Sequence, residues 1–264
     1  PELCLTTFFP RWYFEKQAEI DVWFEKNMPN DATMPLFRTS KELGIALSFG
    51  YAELTPDGLH YNTSILTDKR GNIIGKYRKV HLPGHSEYDH DRAFQHLEKR
   101  YFLPGDMGFP VWRNLNAMMG MCICNDRRWP EVYREMGLQG VELLMLGYNT
   151  PSVNSQMSDE GLEKRLYHSE LCMTAGAYQN STWVIGVAKA GSEDGHPLIG
   201  GSIIVDPDGN VVAKASSEDD ELIVHACDME ACNFGKSTIF DFARHRRIEH
   251  YTRISTQTGV VRPD

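Results

Sequence analysis

The stretch Ala117-Met118-Met119-Gly120-Met121-Cys122-Ile123-Cys124-Asn125-Asp126-Arg127-Arg128-Trp129-Pro130-Glu131 joins an apolar run to a polar turn and a proline. The run at 117–124 reads as a buried strand, and Pro130 reads as the first turn of a helix over 130–137. Cys124 therefore falls on a strand-to-helix turn, where a side chain is lifted off the sheet and an anion gains from the nearby helix N-terminus. A thiol of ordinary pKa ~8.5 is only a few per cent ionised at neutral pH, so a nucleophilic cysteine needs a base or a positive field. Free cysteine is also among the most buried residue types, and a small buried hydrophobe is the plain alternative. Arg127 and Arg128 shift the balance, because adjacent guanidinium forks at such a turn can hold a carboxylate at two points.

On either side of this stretch the pattern is strand-rich. Residues 34–43 read as a helix stopped by Gly44, followed by a strand at 45–52. Residues 61–67 and 73–78 form a hairpin about the Asp68–Asn72 turn. Residues 80–106 then run with Pro, Gly, four His and clustered charge, too long for a passive connector, and mark a site-bearing segment. A buried strand is expected at 141–147, a loop at 149–158, a helix at 160–178, and strands at 181–188, 200–205, 210–214 and 222–227. The sum is one α/β unit spanning 1–264, with an Arg- and His-rich tail from Lys236.

Composition narrows the function. The chain has 264 residues and a net charge of −9, which argues against a nucleic-acid partner held by phosphate contacts. No apolar run approaches the ~18–20 residues that span a bilayer. Six scattered cysteines suit reduced thiols in a cytoplasmic protein better than a disulfide scaffold. A metal centre from His81, His85, His90, Glu87 and Asp89, or from Cys122 and Cys124, lacks ligand spacing, so no metal and no cofactor is expected. Lys79 and His81 share one face if the strand continues through them.

Three elements in order, Pro1-Glu2-Leu3, Lys76 to Leu82 and Cys124 to Glu131, resemble the Glu–Lys–Cys signature of the carbon–nitrogen hydrolase (nitrilase) superfamily. Within it, Leu5 to Trp12, His81 to His85, Phe94 to Phe102, Gly147 to Pro151 and Phe242 to Tyr251 are similar to segments of N-carbamoyl-D-amino acid hydrolases. The resemblance implies a four-layer α-β-β-α sandwich, in which a strand and helix ahead of Pro1 are missing. It implies metal-free conversion of a small N-carbamoyl-D-amino acid to D-amino acid, ammonia and carbon dioxide through a thiol-linked intermediate.

Carried across by position, Cys124 is the nucleophile, Glu2 the base and Lys79 the oxyanion cation, with Glu98 positioning the lysine or the leaving nitrogen. Arg127 and Arg128 go to the substrate carboxylate, and Asn125, Asn149 and Thr150 to pocket hydrogen bonds. His81, His96 and His168 support the site. A homodimer or homotetramer follows by resemblance, with residues 236–264 across an interface. The alternatives are a β-ureidopropionase-like enzyme, an aliphatic amidase, a nitrilase, or a truncated inactive protein of the same fold. Residues 149–162 are richer in Ser and Asp than the family loop, which leaves side-chain preference open.

Overall fold

Two helices precede the first sheet: α1 (Gln17–Asp21), and α2 (Met34–Leu43), which Gly44 ends in the left-handed region at φ 66°. In the computed structural model, which describes residues 1–92, 94–157 and 159–263, β1 (Ser48–Leu54), β2 (His60–Thr67) and β3 (Ile73–Arg78) then form an antiparallel sheet. Its 68–72 turn is held by Asp68, whose carboxylate accepts the backbone N–H groups of Arg70 and Asn72. One face of the sheet buries Phe49, Tyr51 and Ile65 with Phe37 of α2. The strand expected from residue 45 begins at Ser48, because the Ile45 N–H is used to close the helix cap on the Ser40 carbonyl.

After α3 (Glu98–Tyr101) come β4 (Val111–Asn114), β5 (Ala117–Ile123), α4 (Pro130–Leu138) and β6 (Leu143–Tyr148). They are followed by α5 (Leu162–Asn180), β7 (Trp183–Ala188), the small hairpin β8 (Ser192–Glu193) and β9 (His196–Pro197), β10 (Ile203–Val205) and β11 (Val211–Lys214). The second sheet has the order β11-β10-β7-β6-β5-β4, with a parallel centre (β5, β6, β7). Parallel strands must be covered on both faces, and their near-continuous apolar runs show it. Val132 and Met136 of α4 and Met173 and Ala177 of α5 share one core with Leu144 and Val184. The opposite face meets the first sheet: the hydroxyls of Ser48 and Ser64 reach Met121 Sδ at 3.4 and 3.6 Å. The layers run helix, sheet, sheet, helix pair.

The strand expected at 222–227 does not form. The carboxylate of Glu221 instead accepts the N–H groups of Ser216 and Ser217, turning the chain off the β11 edge. Leu222 and Val224 are left exposed. Beyond lie the short helices α6 (Ala231–Ser237), α7 (Phe242–His245) and α8 (Thr252–Thr256), of whose residues Cys232 alone is buried. All six cysteines are free thiols. Among the described residues, no helix is long and apolar enough to cross a membrane.

Glu53 ties the first sheet together, accepting Lys76 Nζ at 2.6 Å, Arg78 Nε at 2.9 Å and the Thr63 hydroxyl at 2.7 Å. Burial opposes its charge, but these donors outweigh it and bring its pKa down to about 2. A folded pKa below the ordinary 4.5 gives stability that is whole above that value and lost as pH falls through it towards about 2. Glu53→Gln should destabilise the fold by on the order of 2 kcal/mol near neutrality, and by progressively less as the solution is acidified. Urea denaturation across that acid range checks it, and an equal difference at every pH would refute the assignment.

Candidate active site

The first three residues are threaded between the two sheets. The N–H of Gly50 donates to the Pro1 carbonyl at 3.0 Å, and that of Cys4 to the Gly50 carbonyl at 2.9 Å. On the other side lies Gly147 of β6, where a Cβ would come within 2.8 Å of both Glu2 N and the Pro1 carbonyl carbon. Backbone can approach this closely only where a side chain is absent. Glu2 is thereby fully buried, and each carboxylate oxygen is engaged. Oε1 accepts Lys79 Nζ at 2.7 Å and Asn62 Nδ2 at 2.8 Å, and Oε2 accepts the Asn149 N–H at 3.0 Å.

Lys79 follows β3, with its backbone N–H donating to the Asn62 carbonyl, and is wholly buried. Its ammonium also donates to Glu98 Oε2 at 2.5 Å, while Glu98 Oε1 lies 3.1 Å from His96 Nε2. Burial works against the ammonium, but the carboxylates of Glu2 and Glu98 outweigh it and hold Lys79 above the ordinary lysine range. Glu98 is likewise disfavoured by burial, yet Lys79 and then His96 bring it below the ordinary carboxylate range. Lys79 is therefore charged, with a carboxylate on either side.

Cys124 follows β5 at φ 47°, a left-handed conformation costly for a residue with a Cβ. It opens a 3-10 turn over Cys124–Arg128 that runs into α4. Arg127 braces this turn: its Nη1 donates to the Cys124 carbonyl at 2.7 Å, its Nη2 to Thr150 Oγ1 at 3.3 Å, and its guanidinium lies 4.6 Å from the Tyr148 ring centroid. Asp126 anchors it from below, accepting Tyr77 OH, the Ile123 N–H and both the backbone and ring nitrogens of His81. Burial first and Glu2 second raise the thiol of Cys124 above its ordinary pKa, against the opposing pull of Lys79 and Arg127. At rest the sulfur carries its proton.

A small cleft opens over Cys124, lined by Asn125, Arg127, Arg128, Asn149, Thr150 and His96 among others. Arg127 is buried in its wall and Arg128 exposed on its lining. Asn125 donates to the His81 carbonyl, and the Asn149 side chain donates to Glu193 Oε2. His81 is stacked between Phe109 and Trp129. His168 stands apart from the thiol, half-exposed, with its Nδ1 3.1 Å from Glu160. Sequence reasoning missed Asn62, Asp126, Glu193 and Arg165. Arg165 lines the cleft from α5 and pairs with Glu160 at 3.1 Å. Asp126, inside the cysteine turn, was open to a capping argument; the other three come from two strands and a helix remote in sequence.

A buried thiol at the cleft, under the electrostatic influence of a buried carboxylate and ammonium, makes a site suited to nucleophilic acyl transfer. Residues 1–236 match the carbon–nitrogen hydrolase family, and the chain belongs to that family, the nitrilase superfamily, whose members hydrolyse non-peptide carbon–nitrogen bonds. An Arabidopsis thaliana N-carbamoylputrescine amidase is 31% identical over 270 residues, covering 97% of this chain and 85% of that protein. A Pyrococcus abyssi nitrilase is 28% identical, covering 96% and 85%. The crystal structure of a Helicobacter pylori carbon–nitrogen hydrolase has the same fold, with a TM-score of 0.82 at 24% identity over 98% of this chain and 85% of that one.

Adding one methyl at Gly147 presses on the backbone that carries Glu2. Gly147→Ala should cut kcat/KM by about a hundredfold, the usual scale for a catalytic group displaced by about 1 Å. Far-ultraviolet circular dichroism should show a folded protein. Full activity in that variant would remove Gly147 from the positioning of Glu2.

Proposed function

We propose that this chain hydrolyses N-carbamoyl-D-amino acids to the D-amino acid, ammonia and carbon dioxide. The observation that carries the proposal is Arg127: a buried guanidinium on the cleft wall with no carboxylate within ion-pair distance among the described residues. A buried charge without a counterion is costly, and an anionic substrate supplies one. Arg128 and Arg165 line the same cleft. N-carbamoylputrescine, named in the plant relatives, ends in an amine that is cationic at neutral pH, and three guanidinium groups repel it. The D configuration rests on the likeness of the segments from Leu5 to Tyr251 to N-carbamoyl-D-amino acid hydrolases.

In this mechanism Glu2 takes the thiol proton as sulfur attacks the carbamoyl carbon. Because burial keeps Cys124 protonated at rest, proton removal belongs to the attack itself. The tetrahedral oxygen gathers negative charge beside the ammonium of Lys79, which is fixed in advance by Glu2 and Glu98. Collapse breaks the bond to the terminal nitrogen, which leaves as ammonia with the proton held by Glu2. Water, deprotonated by Glu2, then attacks the carbonyl carbon of the resulting thiocarbamate; the C–S bond breaks, Glu2 returns the proton to the Cys124 sulfur, and the released N-carboxy amino acid loses carbon dioxide. Asn125 and Thr150 offer hydrogen bonds at the cleft, and Arg127 and Arg128 hold the α-carboxylate.

The tail supports a second element of the proposal, a homodimer or homotetramer. Ile248, Ile254, Val260 and Val261 are all more than 60% exposed, a spread of apolar side chains suited to a second copy of the chain. Truncation before Ile248 should convert the sedimenting species to monomers, and unchanged mass would refute the interface.

Ammonia release from D- and L-carbamoyl amino acids, N-carbamoylputrescine, acetamide and a simple nitrile tests the chemistry. The D-carbamoyl compounds should lead their L-enantiomers by at least about tenfold. Cys124→Ala should lower the rate by about a thousandfold or more. A preference for N-carbamoylputrescine, acetamide or the nitrile would sink the assignment.

A further inference from the structure

The cleft beside Cys124 holds more positive charge than one α-carboxylate uses. Arg127 and Arg165 are buried, at 2% and 6% exposure, and the Nε–H of each lacks a hydrogen-bond partner. A buried guanidinium that leaves donors unpaired is costly unless something else accepts them. Among the described residues, Arg165 commits only Nη1, which donates to Glu160 Oε2 at 3.1 Å. Glu160 is itself shared: Oε2 also accepts Asn154 Nδ2 at 2.8 Å, and Oε1 lies 3.1 Å from His168 Nδ1. Among the described residues, only one carboxylate thus pairs with any of the three guanidinium groups that line the cleft. Burial first, and then Arg128 and Arg127 against the pull of Glu160, hold the Arg165 pKa below its ordinary value, as expected of crowded like charges.

The three cations also come from two elements. Arg127 and Arg128 belong to the cysteine turn, whereas Arg165 belongs to the first turns of α5. The neighbouring wall is polar at Asn154, Ser155 and Gln156, with Pro151 and Val153 beside them. Resting on the function proposed above, we infer that the cleft selects N-carbamoyl amino acids whose side chain ends in a carboxylate, with Arg165 as the receptor for that second anion. The α-carboxylate pairs with the arginines beside Cys124, the side-chain carboxylate takes the free donors of Arg165, and the surplus charge is balanced.

Isosteric pairs isolate this effect: N-carbamoyl-aspartate against N-carbamoyl-asparagine, and N-carbamoyl-glutamate against N-carbamoyl-glutamine, each in the same configuration. The full chain should favour the acid of each pair by at least about tenfold in kcat/KM, because a buried site built for a hydrogen-bonding anion rejects the analogue lacking it. Arg165→Gln should cut the acid-over-amide ratio by at least about tenfold, and Arg165→Lys by less, since a lysine keeps the charge but loses the planar fork. A wild-type ratio at or below one overturns the inference without recourse to a variant, so poor folding of Arg165→Gln cannot rescue it. An unchanged ratio in a folded Arg165→Gln overturns the assignment to Arg165. Ammonia release from the amides but not the acids would leave the proposed function standing and remove the acidic preference; no release from any carbamoyl amino acid would remove both.

Discussion

Three charges with no access to water, Glu2, Lys79 and Glu98, set the terms for the rest of the molecule. Taking ions out of water costs several kcal/mol each, and mutual attraction offsets this only when the remaining hydrogen-bonding capacity is also met. Here partners come from both sheets and a connecting segment: Asn62 from the first sheet, the Asn149 N–H from the end of β6, and His96 from the long 80–106 segment. The two sheets are therefore joined by a charged network as well as by the apolar contact around Met121. Small residues at Gly50 and Gly147 let the chain carrying Glu2 pass between them.

The long segment after β3 is held to this network by a similar close approach. Gly84 lies at φ 74°, and a Cβ there would meet the His96 carbonyl oxygen at 2.0 Å, while the His85 N–H donates to that same oxygen. The loop is cinched so that His96 faces Glu98 and Pro83 and Gly84 line the cleft. Backbone contact, more than side-chain chemistry, thus determines where the second carboxylate sits.

Local pattern made much of this legible. The apolar run into Cys124, Pro130 at the first turn of α4, and the Asp68 and Asp206 turns each encode their element within a few residues, and all of them form. Cys124 was singled out by its local strand-to-helix turn, whereas Lys79, Glu2 and Glu98 came only from the family resemblance, since nothing local tells a buried glutamate from a solvated one. Asn62, Glu193 and Arg165 were not legible, because they meet the site through register and long-range packing. The supposed strand at 222–227 fails for the opposite reason: its composition is strand-like, but Glu221 turns it away from the edge it would need.

Net charge and site charge point in opposite directions, and distance reconciles them. A protein of charge −9 repels an anion at long range, but at physiological ionic strength that repulsion is screened beyond about 8 Å. Inside the cleft the fixed charges on the lining are guanidinium groups, and beside the buried Arg127 and Arg165 Coulomb interactions are stronger per charge than in open water. Under the proposed function the arginines select which small anion stays bound, while the acidic surface discourages polyanions from gathering around it. Arg127 has a second function that couples recognition to reaction, since the guanidinium that faces the cleft also holds the Cys124 carbonyl and so fixes the left-handed turn that presents the thiol. An anion that pulled Arg127 away from this carbonyl would loosen the nucleophile it had come to meet. Under the function proposed above, a productive substrate places its carboxylate on the donors that Arg127 leaves free, which makes the braced turn a geometric filter on what can react.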